Sequence, residues 1–477
     1  MAKNLTTTSH QTQQALTKFP AGTIDEGVLW GKQTQLSLKN FNIGSQCFNP
    51  AFIAALVTIK REAAQINHQL TKLAKPHAQA ITFACDEILQ GKHAKQFPLR
   101  IWQTGSGTQT NMNVNEVIAT LANQFLAQDK NTPDNAIHPN DHVNMSQSSN
   151  DIFPSAMHIV VAQQTHQQLL PAITLLTERL SNKAAEFDGI FTVGRTHLMD
   201  ALPVNVSTTF LAYQQQLMTA KQAIEHSMAN VYQLALGGTA VGSGANAPES
   251  FAEQVIERLA THYQLPLVQH QNLYAAVSGE DALLRYSSAL KQLAATLLKI
   301  ANDVRLLGSG PRCGLNEWLL PANEPGSSIM PGKVNPTQCE ALSMVCLQVF
   351  GNDLTVSMSA ASGQLQLNTY RPVIIHNVLE SIQLLSDAMN SFADNCVDGL
   401  TLNHKQIESN MRNNLSAITL LAPKLGYDKA AKIVHWAVAH NVSLAEASQS
   451  LNLLSKTELE NLLNEQMQAQ KTAQKRS

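Results

Sequence analysis

Apolar residues step through the middle of this chain in threes and fours. Leu290, Leu293, Leu297, Ile300, Val304 and Leu307 form a heptad-like seam, a period that lays one stripe along an α-helix. Pro171 followed by Ile173, Leu176, Leu180, Ala184 and Phe187 predicts a second helix with proline in its first turn. Phe210, Tyr213, Leu217, Ala220, Ile224, Met228 and Val231 predict a third, and the run from Leu342 through Met358 a fourth. Long striped helices belong in a bundle, so these stripes are scaffold. Strand signals are few and short, such as Phe191-Thr-Val193.

The pattern divides the chain into an N-terminal mixed or helical domain (1–147), a central helical-bundle domain (148–402) and a small helical C-terminal domain (403–477). The tail from about Gln466, rich in Gln, Lys and Ala, reads as frayed. Glycines and prolines crowd the stretch from Gly308 to Asn335, which predicts a long loop between helical patterns. Such loops in compact domains are usually lids or binding segments. Gly326-Ser-Ser-Ile-Met-Pro-Gly-Lys-Val-Asn335 places two hydroxyls, an ammonium and an amide in one loop. Those groups suit a segment closing over a small carboxylate, with a serine as base and the lysine and asparagine holding the anion.

Three polar clusters immediately precede apolar helical patterns: Thr104-Gly-Ser-Gly-Thr-Gln-Thr-Asn111, Ser146-Gln-Ser-Ser-Asn-Asp151 and Lys333-Val-Asn-Pro-Thr-Gln338. In the last, Asn335 is expected as N-cap, with Pro336 at the first helical position and Gln338 three residues on. Helix N-termini present free N–H groups and a partial positive charge, so they suit carboxylates. One such cluster is usually a plain cap; three, one of them tethered to a lid, point to a dianion site. A fourth cluster, Gly194-Arg-Thr-His-Leu-Met-Asp200, sets a hydroxyl beside an imidazole, the natural proton carrier near neutral pH.

Bulk numbers narrow the partners. Lys+Arg 33 against Asp+Glu 35 gives a net charge of −2, so no nucleic-acid partner is expected. Charged residues make up 14% of the 477-residue chain, below the roughly 25% usual for soluble proteins. Cys47, Cys85, Cys313, Cys339, Cys346 and Cys396 lie far apart without metal-ligand spacing. They read as reduced thiols of a cytoplasmic protein. The polar stretch from Met1 to Phe19 lacks an apolar export core, and the run from Ala51 to Ile59 is too short to span a bilayer. No membrane, metal or cofactor is expected.

From about residue 22 to about 463 the chain resembles class II fumarases of the fumarase/aspartase superfamily. The matching residues are Trp30-Gly-x-Gln-Thr-Gln35, Trp102-Gln-Thr-Gly-Ser-Gly-Thr-Gln-Thr-Asn-Met-Asn-Val-Asn-Glu116, His138-Pro-Asn-Asp141, Ser146 to Asp151, Gly194 to His197, Leu236-Gly-Gly-Thr-Ala-Val-Gly242, Gly308-Ser-Gly-Pro-Arg-Cys-Gly314 and Asn323 to Glu340. Gly332 before Lys333, the Ser148-Ser149 pair and the Thr196-His197 pair favour fumarase over aspartase.

The resemblance implies reversible anti addition of water to fumarate, giving (S)-malate through an aci-carboxylate. It implies that Ser327 takes the C3 proton of malate and that His197, paired through water with Glu340, handles the hydroxyl proton. The substrate shell it implies is Ser106, Gly107, Thr108, Ser148, Ser149, Asn150, Thr196, Ser328, Lys333, Val334 and Asn335. His138, Pro139, Asn140 and Asp141 resemble the family's secondary dicarboxylate site, and as a bare motif equally a turn. The implied fold is mainly α and three-domain, with a long central helical bundle that joins three others in a tetramer core. Each site then draws on three subunits.

The chain departs from the family pattern where Met145 replaces a lysine, Leu36 an arginine and Met199 a glutamine, and where Ser207-Thr208-Thr209 replaces Gly-Gln-Glu. Two alternatives stay open on these departures: an ammonia-lyase acting on a related C4 acid, and a weakly active paralogue with a structural role.

Overall fold

The computed structural model describes residues 27–128 and 136–474, so the polar N-terminal stretch lies outside the described residues. The chain is mainly helical. In order it forms α1 (Lys32–Asn40), α2 (Pro50–Gln69), α3 (Lys75–Leu89), α4 (Thr108–Leu126), α5 (Ser149–Gln164), α6 (Leu170–Glu186), α7 (Val206–Val231), α8 (Phe251–Tyr263) and α9 (Leu273–Ser278). There follow α10 (Asp281–Leu307), α11 (Thr337–Ala361), α12 (Arg371–Phe392), α13 (His404–Asn413), α14 (Ala422–Leu425), α15 (Tyr427–His440), α16 (Leu444–Ser450) and α17 (Lys456–Gln474). The stripes read from the sequence are the buried faces. Leu290, Leu293, Leu297 and Ile300 on α10 are fully buried, as are Leu217, Ala220 and Ile224 on α7. Among the described residues the strands form two-stranded pairs only; the longest is β1 (Phe191–Thr196) against β2 (Met199–Asn205).

The chain forms two compact units, and all but one of their limits fall inside long helices. Among the described residues, unit 1 comprises 27–128, 136–164, 227–286 and 354–379. In it α2 packs on α3, α5 and α8, and α3 on α4. Phe52 and Phe153 meet edge-on at 4.8 Å between α2 and α5, with Phe48 stacked on Phe52. Glu116 on α4 receives the main-chain N–H groups of Gly31, Gln33 and Thr34. Its carboxylate thereby caps the start of α1, where free N–H groups favour negative charge.

Among the described residues, unit 2 comprises 165–226, 287–353 and 380–474. Its C-terminal helices bury Ile418, Leu421, Ile433, Ala437, Leu444 and Leu459 in one cluster. Ser443 and Glu446 form a capping box at the start of α16. The last helix, α17, runs from Lys456 to Gln474. Ser455 caps its start, and Leu462 and Leu463 pack on the C-terminal cluster.

Candidate active site

In unit 1, α4 starts at Thr108 behind Gly107, whose backbone is left-handed, and α5 starts at Ser149. Ser106 Oγ lies 2.8 Å from Thr108 Oγ1, which lies 2.7 Å from Ser149 Oγ. Ser148 Oγ accepts the Asn150 N–H at 3.2 Å, capping α5. The structure therefore brings Ser106, Gly107, Thr108, Ser148, Ser149 and Asn150 together at two helix N-termini, a shelf of hydroxyls and N–H groups suited to a carboxylate. The Asn150 amide nitrogen is already engaged, donating to the Ala240 carbonyl at 2.8 Å.

Buried charges lock this shelf from beneath. Asp151, fully buried, accepts N–H bonds from Ser148 at 2.9 Å, Gly237 at 3.1 Å and Thr239 at 2.9 Å. Burial raises its pKa, and those three donors oppose the rise. Lys60 on α2, also fully buried, donates to Asn144 Oδ1 at 2.7 Å and Gln147 Oε1 at 3.0 Å. Burial pulls its pKa down to about 7, against the attraction of Asp151. Met145, where a lysine was expected, presents its main-chain carbonyl to Asn67 and Gln147.

His138, Pro139, Asn140 and Asp141 lie on a single π-helical turn, Pro139–Val143, apart in sequence from the shelf. His138 Nδ1 accepts the Asp141 N–H at 3.2 Å and caps that turn.

In unit 2, Ser327 Oγ accepts two main-chain N–H groups, from Ile329 at 3.2 Å and Met330 at 3.1 Å. The loop closes at its neck through Gly326 N–H to the Lys333 carbonyl at 3.0 Å and Asn335 Nδ2 to the Gly326 carbonyl at 2.6 Å. Asn335 was expected as the helix cap. Instead α11 begins at Thr337, and the Asn335 amide closes the loop. The Gly326 carbonyl, turned inward at the neck, claims that amide. Ser328, Lys333 and Val334 are exposed, and Glu340 is half-buried in the first turn of α11.

Thr196 and His197 stand at the tip of the β1–β2 hairpin, where the sequence predicted only the first strand. Thr196 pairs with Met199. His197 and Leu198 between them have φ of 56° and 62°, the two left-handed residues of a type I′ turn. Neither residue favours that conformation, so the usual Asn-Gly signal is absent. The hairpin rests on a buried ion pair: Arg195 donates Nη2 to Glu317 Oε1 at 2.6 Å and Nη1 to Oε2 at 3.1 Å. Thr192 and Asn410 also donate to Glu317, which is fully buried. No direct hydrogen bond or ion pair joins His197 to Glu340.

Sequence reasoning assigned no part to Lys60 or Glu317, and named Asp151 only as the end of a polar cluster. Lys60 adjoins Arg61 and Glu62, and Asp151 follows Ser148-Ser149-Asn150, so neither stood out in the sequence as a buried charge.

Residues 22–351 match a family model described as a lyase, and residues 418–467 match the fumarase C C-terminus. A class II fumarate hydratase of Pseudomonas syringae pv. tomato is 51% identical over 437 residues, 92% of this chain and 94% of that protein. One from Rickettsia conorii is 49% identical, covering 92% and 95%. The crystal structure of a class II fumarase from Schistosoma mansoni superposes with a TM-score of 0.88 at 42% identity, covering 92% of this chain and 95% of that one. The chain therefore belongs to the lyase family, in its class II fumarate hydratase branch.

Proposed function

We propose that this chain hydrates fumarate reversibly to (S)-malate, with Ser327 as the group that exchanges the C3 proton. The observation that carries the assignment is the pair of N–H groups aimed at Ser327 Oγ. A serine is a poor base in water, and its oxyanion becomes reachable where fixed donors meet it. The exposed Lys333 ammonium in the same loop adds positive charge. Removing a proton beside a carboxylate creates a second negative charge, which donors and a cation in a closed site stabilise. His197 handles the proton of the added water, with Glu340 reached through water. Thr196, Ser328, Val334 and Asn335 complete the unit 2 lining, and the hydroxyl shelf of unit 1 grips a substrate carboxylate. His138, Asn140 and Asp141 on their exposed turn form a secondary dicarboxylate site.

The working enzyme is a cytoplasmic homotetramer in which each site draws on three copies. Among the described residues, α11 is long and apolar enough to cross a membrane by length and composition, and 33% of that window is buried. Its exposed residues include Met344, Leu347, Leu354 and Met358, spaced by three, seven and four. That is the seam of a helix packed against other helices, so copies of the chain cover it.

The test follows the fumarate absorbance band with malate, fumarate and aspartate as substrates. Turnover of malate and fumarate is expected, and turnover of aspartate alone rejects the reading. Ser327→Ala is expected to lower kcat by about 100- to 10,000-fold with the melting temperature unchanged. Unchanged activity in both Ser327→Ala and His197→Asn reduces the protein to a structural paralogue.

A further inference from the structure

Arg371, the first residue of α12, is the largest fully buried side chain in the structure among the described residues. A guanidinium with no access to water must have its donors met inside the protein. Its partners are all on unit 1. Nε donates to Glu280 Oε1 at 2.6 Å, Nη2 to the Val277 carbonyl at 2.6 Å, and Nη1 to the Asn150 carbonyl at 2.8 Å. Its main-chain N–H donates to the Gly105 carbonyl at 3.0 Å.

Asn150 and Gly105 belong to the two different segments that form the hydroxyl shelf. One residue therefore holds the main chain of both, at the places where α4 and α5 begin. The approach is close as well. A Cβ on Gly105 would fall 1.4 Å from the Thr369 carbonyl oxygen, so the segment preceding Arg371 lies directly against the Gly105 backbone. That segment is itself fixed by Asn368, buried, whose amide donates to the Ser359 carbonyl at 3.1 Å and whose Oδ1 accepts the Tyr370 N–H at 2.8 Å. Glu280, 3% exposed, neutralises the guanidinium.

We propose that Arg371, with Glu280 as its counter-ion, is a positioning residue that sets the spacing between the Ser106–Thr108 and Ser148–Asn150 segments and so tunes their grip on the substrate carboxylate. No group of Arg371 needs to touch substrate. The hydroxyls Thr108 Oγ1 and Ser149 Oγ meet at 2.7 Å across the two segments, a contact that tolerates only tenths of an ångström of drift. A lysine at 371 keeps the charge but cannot reach Glu280, Val277 and Asn150 in one fork, since an ammonium lacks that planar geometry.

The inference rests on the fumarate hydratase reading, and the test separates the two. Wild-type turnover of fumarate tests the reading alone. Arg371→Lys is then expected to raise KM for fumarate about tenfold or more while kcat changes less than about threefold, the signature of lost binding common to ground and transition states. Amide hydrogen exchange, which needs no activity, is expected to quicken at residues 104–108 and 148–151 and to stay at the wild-type rate at residues 427–440. If Arg371→Lys does not fold, Arg371→Met with Glu280→Met removes both charges at similar volume, a change buried pairs commonly tolerate. That double variant is expected to show the same rise in KM. Wild-type KM and exchange in a folded variant overturn the proposal. So does a parallel fall of activity and folded fraction with KM unmoved, which marks Arg371 as a plain core residue.

Discussion

The hydroxyl shelf of unit 1 and the serine loop of unit 2 carry the same kinds of polar atom in opposite settings. On the shelf, Ser106, Thr108 and Ser149 bond one another over buried Asp151, Lys60 and Arg371. In the loop, Ser327 is met only by N–H groups of its own turn, and Ile329, Met330 and Val334 beside it are exposed. The shelf is fixed by the unit's core, so geometry there is set before any substrate arrives. The loop is fixed by itself, through short-range bonds among residues 326–335. Stability and catalysis should therefore respond together to changes under the shelf and separately to changes in the loop.

The hairpin of unit 2 sharpens that contrast, because its tip resembles the loop and its base resembles the shelf. His197, Leu198 and Met199 are exposed, whereas Glu317 under Arg195 is fully buried and accepts four donor contacts. Removing one partner of such a pair leaves the other charge stranded. Glu317→Gln is expected to destabilise the protein by about 3–5 kcal/mol, read by denaturant unfolding, with kcat/KM falling as the Thr196–His197 tip loses its support. A loss below about 1 kcal/mol means that the hairpin stands without its ion pair.

The second largest effect lies in unit 1 and is set by pH. His158 on α5 is half-buried, and burial of its ring drives its pKa down to about 4, with repulsion from His270 and Arg371 adding to the fall. Unfolded, the same imidazole titrates near 6.5. Between those two values the unfolded chain binds a proton that the folded chain refuses, so stability falls as the pH drops from 6.5 towards 4. The full loss is about 3 kcal/mol. His158→Gln is expected to remove that part of the acid limb in unfolding curves measured across the interval. Asp151 and Glu280, whose pKa values burial raises, act in the opposite sense. Both remain in the variant, so they cancel in the difference. Curves that stay parallel for the two proteins refute the buried-imidazole account.

How much was legible follows the same divide. Apolar periodicity gave α6, α7, α10 and α11, since burial of one face is what creates that periodicity; α2, α3 and α12 were not read from it. The starts of α4 and α5 were also legible, because glycine, serine and threonine before an apolar run have a capping reason to be there. The hairpin closure was not, since His197 and Leu198 take left-handed conformations without the residues that favour them. Asn335 was misread as a cap because a local motif cannot show that a carbonyl nine residues earlier turns back to meet it. The charges under the shelf carried no such signal, since Lys60 adjoins Arg61 and Glu62 and Asp151 ends a polar run. Arg371 lies more than two hundred residues from Gly105 and Asn150, whose main chain it holds.

The smallest expected change in stability belongs to the loop, and it decides whether the two settings differ as described. A Cβ on Gly326 would fall 2.4 Å from the Lys333 carbonyl oxygen, inside the neck that Gly326 and Asn335 close. Gly326→Ala must therefore open that neck by moving main chain, since no flexible side chain is there to yield. Lys333 and Val334 already face solvent, so the displaced residues find water in place of the bonds they lose. The expected cost is about 1 kcal/mol or less, close to one net hydrogen bond. Catalysis is expected to suffer more, because the N–H groups of Ile329 and Met330 meet Ser327 Oγ only while the turn keeps its shape. A fall in kcat of about tenfold or more, with the unfolding midpoint nearly unmoved, places the loop outside the cooperative core. Should Gly326→Ala instead unfold the protein as severely as Glu317→Gln, the loop is a structural member of unit 2, and the contrast with the shelf fails.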